Sequence, residues 1–515
     1  ILIGPAMKRV PPFRYLRSIY IHPKSMRRLL LLICCSLWLS TLAQSPKKKP
    51  IQVAPVISKP LPSATKPIQQ ASSEKEKPSN REGEKMTSSD ILPYPIYQKR
   101  MANGLNVVTV PYPSPGVAAF YIIVRVGSRD EIEIGKSGFA HFFEHMMFRG
   151  TKRFPKEAYS AALKSTGASA NANTSLDRTV YHMTADASKL DLLFDLEADR
   201  FMNLDYSEQD FRTEAGAVKG EYTKNSSNPY TKLNELIQNA AFDQHTYKHT
   251  TMGFLKDIID MPNQFAYSRN FFSRFYRPEY TTILVVGDVK PGAVEGLANK
   301  YFGRWEMGNY KSPVPQEPAQ SGVRFAHMKK PGFPPYLSLN YRGPAYSDNS
   351  KDLAALNILG AVLFSENSTL YEDLVMKDQT VRSLDAGIYP TRDPFLFSVE
   401  ASLVADSSMI LIQNRLLEAL GQAKVKALES KKIDQARENI RNSFAMSIDN
   451  PTTIAEALSS AIWLTGDPES LNRQYRQYEQ ITADDIQRVA NQYCTEDRLT
   501  IGTISSAENS PFKKP

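Results

Sequence analysis

The stretch Ser137–Gly150, SGFAHFFEHMMFRG, constrains this chain more than any other. It sets His141, Glu144 and His145 inside an otherwise apolar run. Read as a helix, it would be capped by Ser137 and ended by Gly150. At helical spacing His141 and His145 share one face, one turn apart. Two neutral imidazoles so placed can share one metal ion, and zinc is the usual occupant of such nitrogen sites. Glu144 stands beside the second histidine, close enough to reach a metal-held water without binding the metal. Taken alone, the pair fits a plain core helix as well as a metal site, because the motif is short. Phe142, Phe143, Met146, Met147 and Phe148 read as core. A buried helix carrying two His and a Glu among aromatics is costly unless those groups have partners. That cost favours a site.

The charge of the chain points away from nucleic acid. The 515 residues carry a formal net charge of +9. Residues 1–50 hold 10 Lys/Arg and no Asp/Glu, which leaves 53 basic and 54 acidic residues in the other 465. The basic excess therefore belongs to the leader, and no basic stripe interleaved with aromatics follows it. Met26-Arg27-Arg28, the apolar run Leu29–Leu39 and the small residues STLAQS read as a secretory signal, with cleavage near Ala43 or Ser45. Residues 1–25 would then lie upstream of the true start. The run is short for a bilayer, so no stable membrane span is expected after cleavage. An uncleaved leader would instead tether the chain to the membrane. The expected location is periplasmic or secreted. Two of the three cysteines, Cys34 and Cys35, lie in the leader and would leave Cys494 alone. The fold is thus expected to hold without an intrachain disulfide.

Residues 46–91, rich in Pro, Lys, Ser and Glu, read as a disordered tether. Globular sequence begins near Leu92. Asn103-Gly104 predicts a hairpin turn before the strand LNVVTV. The apolar strand Val117–Gly127 leads into the His helix, and GASANANTSLDRTVYHMT, between Gly167 and Thr184, suggests strands. Ser188–Leu204 patterns as an amphipathic helix. A second helix opens at Ser207 with Asp210 as its capping box, and carries Glu214 and Glu221 on one face. A zinc site needs a third protein ligand and an open position for water, and a helical carboxylate suits the third place. Out of context, Glu221 would read as a surface glutamate. The helix-then-strand unit at Asn263–Asp288 recurs at the C-terminus, with Tyr276 and Tyr493 in like places. This suggests two halves of similar design. The Pro-rich segment Asn309–Gln320 reads as a linker between them. The second half has a single histidine, His327, and no second metal motif.

Several stretches together resemble one family. His141-Phe-Phe-Glu-His145 followed by Glu221 is similar to the inverted zinc motif of the pitrilysin/insulinase family of metallopeptidases. The NGL turn at Asn103–Leu105, Gly127-Ser128, GFAHFFEHMMFRGT, NANTSLDRTVY, EAGAVKGE and YRPEYTTILVVGDV extend the resemblance. It runs from about Leu92 to the C-terminus, more weakly after Gly322. The mitochondrial-processing-peptidase-like subgroup fits best, since two halves are present and not four.

The resemblance implies an α+β fold. Each half would be a mostly antiparallel sheet covered by helices, and the two would form a clamshell chamber. Residues 92–308 would be the catalytic domain, 309–321 the linker and 322–515 an inactive homologous domain, after a leader at 1–45. One Zn2+ per chain would be held by His141, His145 and Glu221. Glu144 would be the general base acting on a zinc-activated water, and Glu214 a supporting carboxylate. The strand at Asn171-Ala172 would pair with an extended peptide substrate. Relatives carry a substrate-gripping Arg and Tyr that Leu370–Ser383 lacks at the matching spacing. A heterodimer with a related non-catalytic chain supplying that pair is therefore expected.

The expected function is zinc-dependent endopeptidase action on peptides or unfolded protein segments. Its rivals are a catalytically silent subunit of a peptidase heterodimer, an envelope scaffold whose His helix is plain core, and use of another divalent metal. The sequence names neither substrate nor cleavage preference.

Overall fold

The structure, a computed structural model, describes residues 90–512. The leader, with Cys34 and Cys35, and the tether up to residue 89 lie outside the described residues. Two sheets organise the rest. The first holds β1 (Tyr97–Arg100), β2 (Asn106–Pro111), β3 (Val117–Val124), β4 (Ser169–Thr174), β5 (Thr179–Asp186) and β6 (Thr281–Gly287), in the order β1-β2-β6-β3-β5-β4. The second holds β7 (Arg324–Lys329), β8 (Tyr336–Arg342), β9 (Val381–Ile388), β10 (Leu396–Leu403) and β11 (Leu499–Ser505), in the order β7-β11-β8-β10-β9. Each sheet contains one parallel pair, β2 with β6 and β7 with β11, and is otherwise antiparallel. The expected α+β class with two like halves is the one observed, and residues 305–321 run between the halves without helix or strand.

Local expectations explain much of the first half. The Asn103-Gly104 turn closes the β1–β2 hairpin with Gly104 at φ 85°, a left-handed backbone that glycine adopts without a Cβ clash. Helix Glu208–Ser226 carries the capping box expected of Ser207 and Asp210. The apolar stretch Asp352–Phe364 is a helix buried against β9 in the second-half core.

The halves exchange helices. Pro229–Ala241 of the first half lies on β7 and β11 of the second sheet, where Leu233 and Ile237 join Ala326, Tyr336 and Ile504 in one apolar cluster. Gly502 makes this possible: a Cβ there would sit 2.4 Å from Ile237 Cδ1. In return Pro451–Thr465 of the second half lies on β3 and β6, packing Ile454 and Leu458 with Tyr121 and Val286. Each half thus covers a sheet face that the other would leave apolar and wet. Neither core is complete alone.

One local expectation fails. The His helix spans Phe139–Met146, its N-cap is Gly138 in the left-handed region, and Ser137 does not cap it. The Ser137 hydroxyl instead donates to Asp257 Oδ2 at 2.6 Å and accepts from Phe254 N at 2.8 Å. The cap is a buried carboxylate from the preceding loop. Glu131 accepts from Gly138 N and Ala140 N, each at 2.7 Å, meeting the orphan donors and positive end of the helix. Gly150, at φ 91°, does end the following turn.

His249 packs beside this cap, its Nδ1 3.0 Å from Thr250 O and 3.8 Å from Glu131 Oε2. Burial pushes its pKa down to about 4. The folded chain therefore keeps His249 neutral where the unfolded chain protonates it below about pH 6.5. Its contribution to stability is fully present above that pH and is lost as pH falls toward 4, by roughly 3 kcal/mol at the limit. Burial raises the Glu131 pKa, an effect of opposite pH sign. Thermal melts of wild type and His249→Gln from pH 7 to 4.5 isolate the histidine. The variant should lose less stability on acidification, and parallel curves would contradict the assignment.

Candidate metal centre

His141 and His145 project from one face of the His helix with ring centroids 4.8 Å apart. That helix packs against Glu208–Ser226, which brings Glu221 to the pair. Glu221 Oε2 lies 3.6 Å from His141 Nε2 and 3.2 Å from His145 Nε2. One ligand atom from each residue falls within 4.8 Å of the others, the one such group found among the described residues. Glu214 and Glu221, seven residues apart on one helix, both face His145. Glu214 Oε1 lies 2.9 Å from His145 Nδ1 while Glu221 faces Nε2 of the same ring. A carboxylate can only accept, so Nδ1 donates to Glu214 and, with no cation between them, Nε2 donates to Glu221; a metal ion would take the place of the Nε2 proton.

Electrostatics fit a cation. Burial lowers the His141 pKa, so its ring stays neutral. Burial also works against charge on His145, but the bonds to Glu214 and Glu221 outweigh it and push its pKa up to about 10. The bond from His145 holds Glu221 down to about 2. The positive charge at this point is thus supplied by the His145 ring, held between the Glu214 and Glu221 carboxylates beside the neutral His141. A metal ion there would displace the Nε2 proton and meet two imidazole nitrogens and a carboxylate oxygen. His141 Nδ1 is also buried without a hydrogen-bond partner among the described residues. The donor set, two nitrogens and one oxygen with Glu221 partly open to solvent, fits zinc with a position to spare.

Glu144 lies beside the group and is held separately. Thr174 Oγ1, at the end of β4, donates to Glu144 Oε2 at 2.6 Å. Glu214 is anchored in turn by Arg149, whose Nε donates to its Oε2 at 2.6 Å. Sequence reasoning missed Thr174 and Arg149. Each stands inside a stretch already singled out, but nothing in its local pattern marks it. Asn171 and Ala172 lie on β4, which is the edge of the first sheet. The stretch Leu370–Ser383 folds as a short turn, a π-helical segment Glu372–Lys377 and the start of β9. Arg382 there donates from Nε to Leu403 O at 3.2 Å.

The comparisons with known proteins agree with this geometry. Residues 106–254 match the insulinase domain (peptidase family M16) and residues 266–440 match the peptidase M16 inactive domain. The chain is 28% identical over 407 residues to the zinc protease PqqE of Helicobacter pylori, covering 78% of this chain and 90% of that one. It is 23% identical over 423 residues to a probable mitochondrial-processing peptidase beta subunit of Arabidopsis thaliana, covering 80% of this chain and 78% of that one. This likeness supports the processing-peptidase-like subgroup. Among solved structures, a protease from Helicobacter pylori superposes with a TM-score of 0.74 at 28% identity, covering 80% of this chain and 99% of that one. An M16-like peptidase from Alicyclobacillus acidocaldarius superposes with a TM-score of 0.71 at 17% identity, covering 80% and 98%, a likeness of fold alone. With both of its halves matched by M16 domains and its relatives named zinc proteases, the chain belongs to the insulinase (peptidase M16) family.

Proposed function

We propose that this chain is a zinc-dependent endopeptidase that hydrolyses peptides or unfolded protein segments. The observation that carries the reading is the convergence of His141, His145 and Glu221, with Glu144 beside them but bonded elsewhere. His141, His145 and Glu221 would hold one zinc ion. Zinc there supplies Lewis acidity, polarising a carbonyl and making water acidic near neutral pH. Glu144 takes the proton from the attacking water and gives it to the leaving amine. Thr174 occupies one oxygen of that carboxylate and leaves the other for the proton. Glu214 fixes the tautomer of His145 and carries its charge against Arg149. The open edge of β4 at Asn171-Ala172 would bind an extended peptide through its backbone, which gives affinity with loose sequence preference.

We extend the proposal to place and partner. The leader at Met26–Leu39 supports export to the periplasm or beyond. The missing Arg-then-Tyr in Leu370–Ser383 supports a heterodimer in which a related chain grips the substrate. The test is metal analysis with a peptide-cleavage screen of the purified chain, with and without a candidate partner. Stoichiometric zinc and cleavage stimulated by the partner are expected. Zinc without cleavage in either arm would favour the silent-subunit reading, and full cleavage by the chain alone would refute the heterodimer.

Glu214→Ala checks the supporting shell. It removes the acceptor for His145 Nδ1, and zinc affinity should fall about 10- to 100-fold. Competition with a chelator measures this. Unchanged affinity would mean that Glu214 does not support the site.

A further inference from the structure

The hairpin between β4 and β5 carries Thr174, and its tip, residues 175–178, is gripped by parts of the chain that hold no metal residue. Asp177 at the tip is fully buried. It accepts from Tyr247 Oη at 2.6 Å and from the backbone N of Arg392, in the second half, at 2.9 Å. The neighbouring Asp393 receives Arg129 Nε at 2.5 Å and lies 3.0 Å from His245 Nε2. Arg129 in turn donates its backbone N to Leu176 O at 2.7 Å. The segment that follows β3 closes on the same tip. A Cβ at Gly127 would lie 2.4 Å from both Ser175 O and Leu176 O, so only glycine allows that approach. The loop joining β9 and β10 of the second half is thus locked to the hairpin that ends beside Glu144.

We infer that Thr174 is a positioning residue for the Glu144 carboxylate, and that the second half holds it in place by clasping the hairpin tip through Asp177. This rests on the peptidase reading above. A buried carboxylate meeting two donors fixes the tip because either donor would be left unpaired if it moved. Thr174 follows the tip through the first residues of the hairpin, and its hydroxyl selects one orientation of Glu144. The inactive half then contributes to the chemistry without contributing a ligand.

The experiment uses the full chain. Thr174→Val should lower kcat about 10- to 100-fold while KM, zinc content and melting temperature stay near wild type, and Thr174→Ser should restore kcat. Thr174→Ala replaces Thr174→Val if the latter fails to fold. Tyr247→Phe removes one donor to Asp177 but keeps the ring. It should lower kcat alone and add nothing to Thr174→Val, because the two act on the same carboxylate. Wild-type turnover by the Thr174 variants would overturn the assignment of Thr174. Additive losses in the double variant would overturn the clasp. Cleavage that survives Glu144→Gln would instead strike at the peptidase reading itself.

Discussion

Glu144→Gln is expected to leave the chain folded and its zinc content unchanged while peptide cleavage falls by about 10²- to 10⁴-fold, the range that a positioned proton carrier supplies. The substitution is nearly isosteric. The Thr174 hydroxyl, 2.6 Å from Oε2 in the wild type, still finds an acceptor in the amide oxygen. What is lost is the ability to take a proton and release it. Glu144 is no part of the three-residue group formed by His141, His145 and Glu221, so metal content should not follow activity. Changing a ligand has the opposite signature. His145→Ala would remove a zinc donor and leave Glu214 without its imidazole, so activity and metal fall together. The pair of variants therefore separates the base from the ligands, and metal analysis beside a fluorogenic peptide assay reads both. Cleavage retained in Glu144→Gln would refute the proposed proton transfer.

How much of this was legible beforehand depended on the range of the interaction. The spacing of His141 and His145 is a one-turn relation, and the spacing of Glu214 and Glu221 a two-turn relation. Both held, because helical periodicity fixes them whatever packs outside. The capping box of Ser207 and Asp210 held for the same reason. Ser137 failed because a capping rule reads only its neighbours, and the Glu131 carboxylate arrives from a loop outside that window. Thr174 was invisible in a different way. Its role exists only once β4 is laid beside the His helix, and any polar residue at that position would fit a strand equally well. The exchange of helices between the halves was also out of reach. The apolar face of Pro229–Ala241 is legible as a face that must be buried, but nothing in its pattern says that the sheet burying it belongs to the other half. The contact from Asp177 to Arg392 spans the same gap.

A second large effect lies under the His helix. Arg200→Met should cost about 3–5 kcal/mol of stability, the range for breaking a buried ion pair by removing one partner. Arg200 and Glu197 are both essentially without solvent exposure. Arg200 Nε donates to Glu197 Oε2 at 2.8 Å, and Tyr159 Oη donates to the other oxygen at 2.8 Å. The guanidinium also lies over Phe148, Tyr159, Tyr181 and Phe201, at 4.9, 5.4, 4.8 and 5.5 Å from the ring centres. Methionine fills much of the volume but leaves the Glu197 charge buried and unpaired, and that charge, more than lost packing, sets the cost. The double variant Glu197→Leu with Arg200→Met is the control, since it leaves no lone charge. It should be more stable than either single variant, which additive losses would not allow. The consequence reaches the metal centre. Phe148 follows the His helix directly, and Tyr181 Oη donates to Phe143 O within it at 3.2 Å. Loosening the cage would weaken the hold of Tyr181 on the His helix. Because the proposed zinc would bind only the folded arrangement, added zinc should recover part of the lost melting temperature in Arg200→Met. A single variant as stable as wild type would show that this buried pair carries no structural weight.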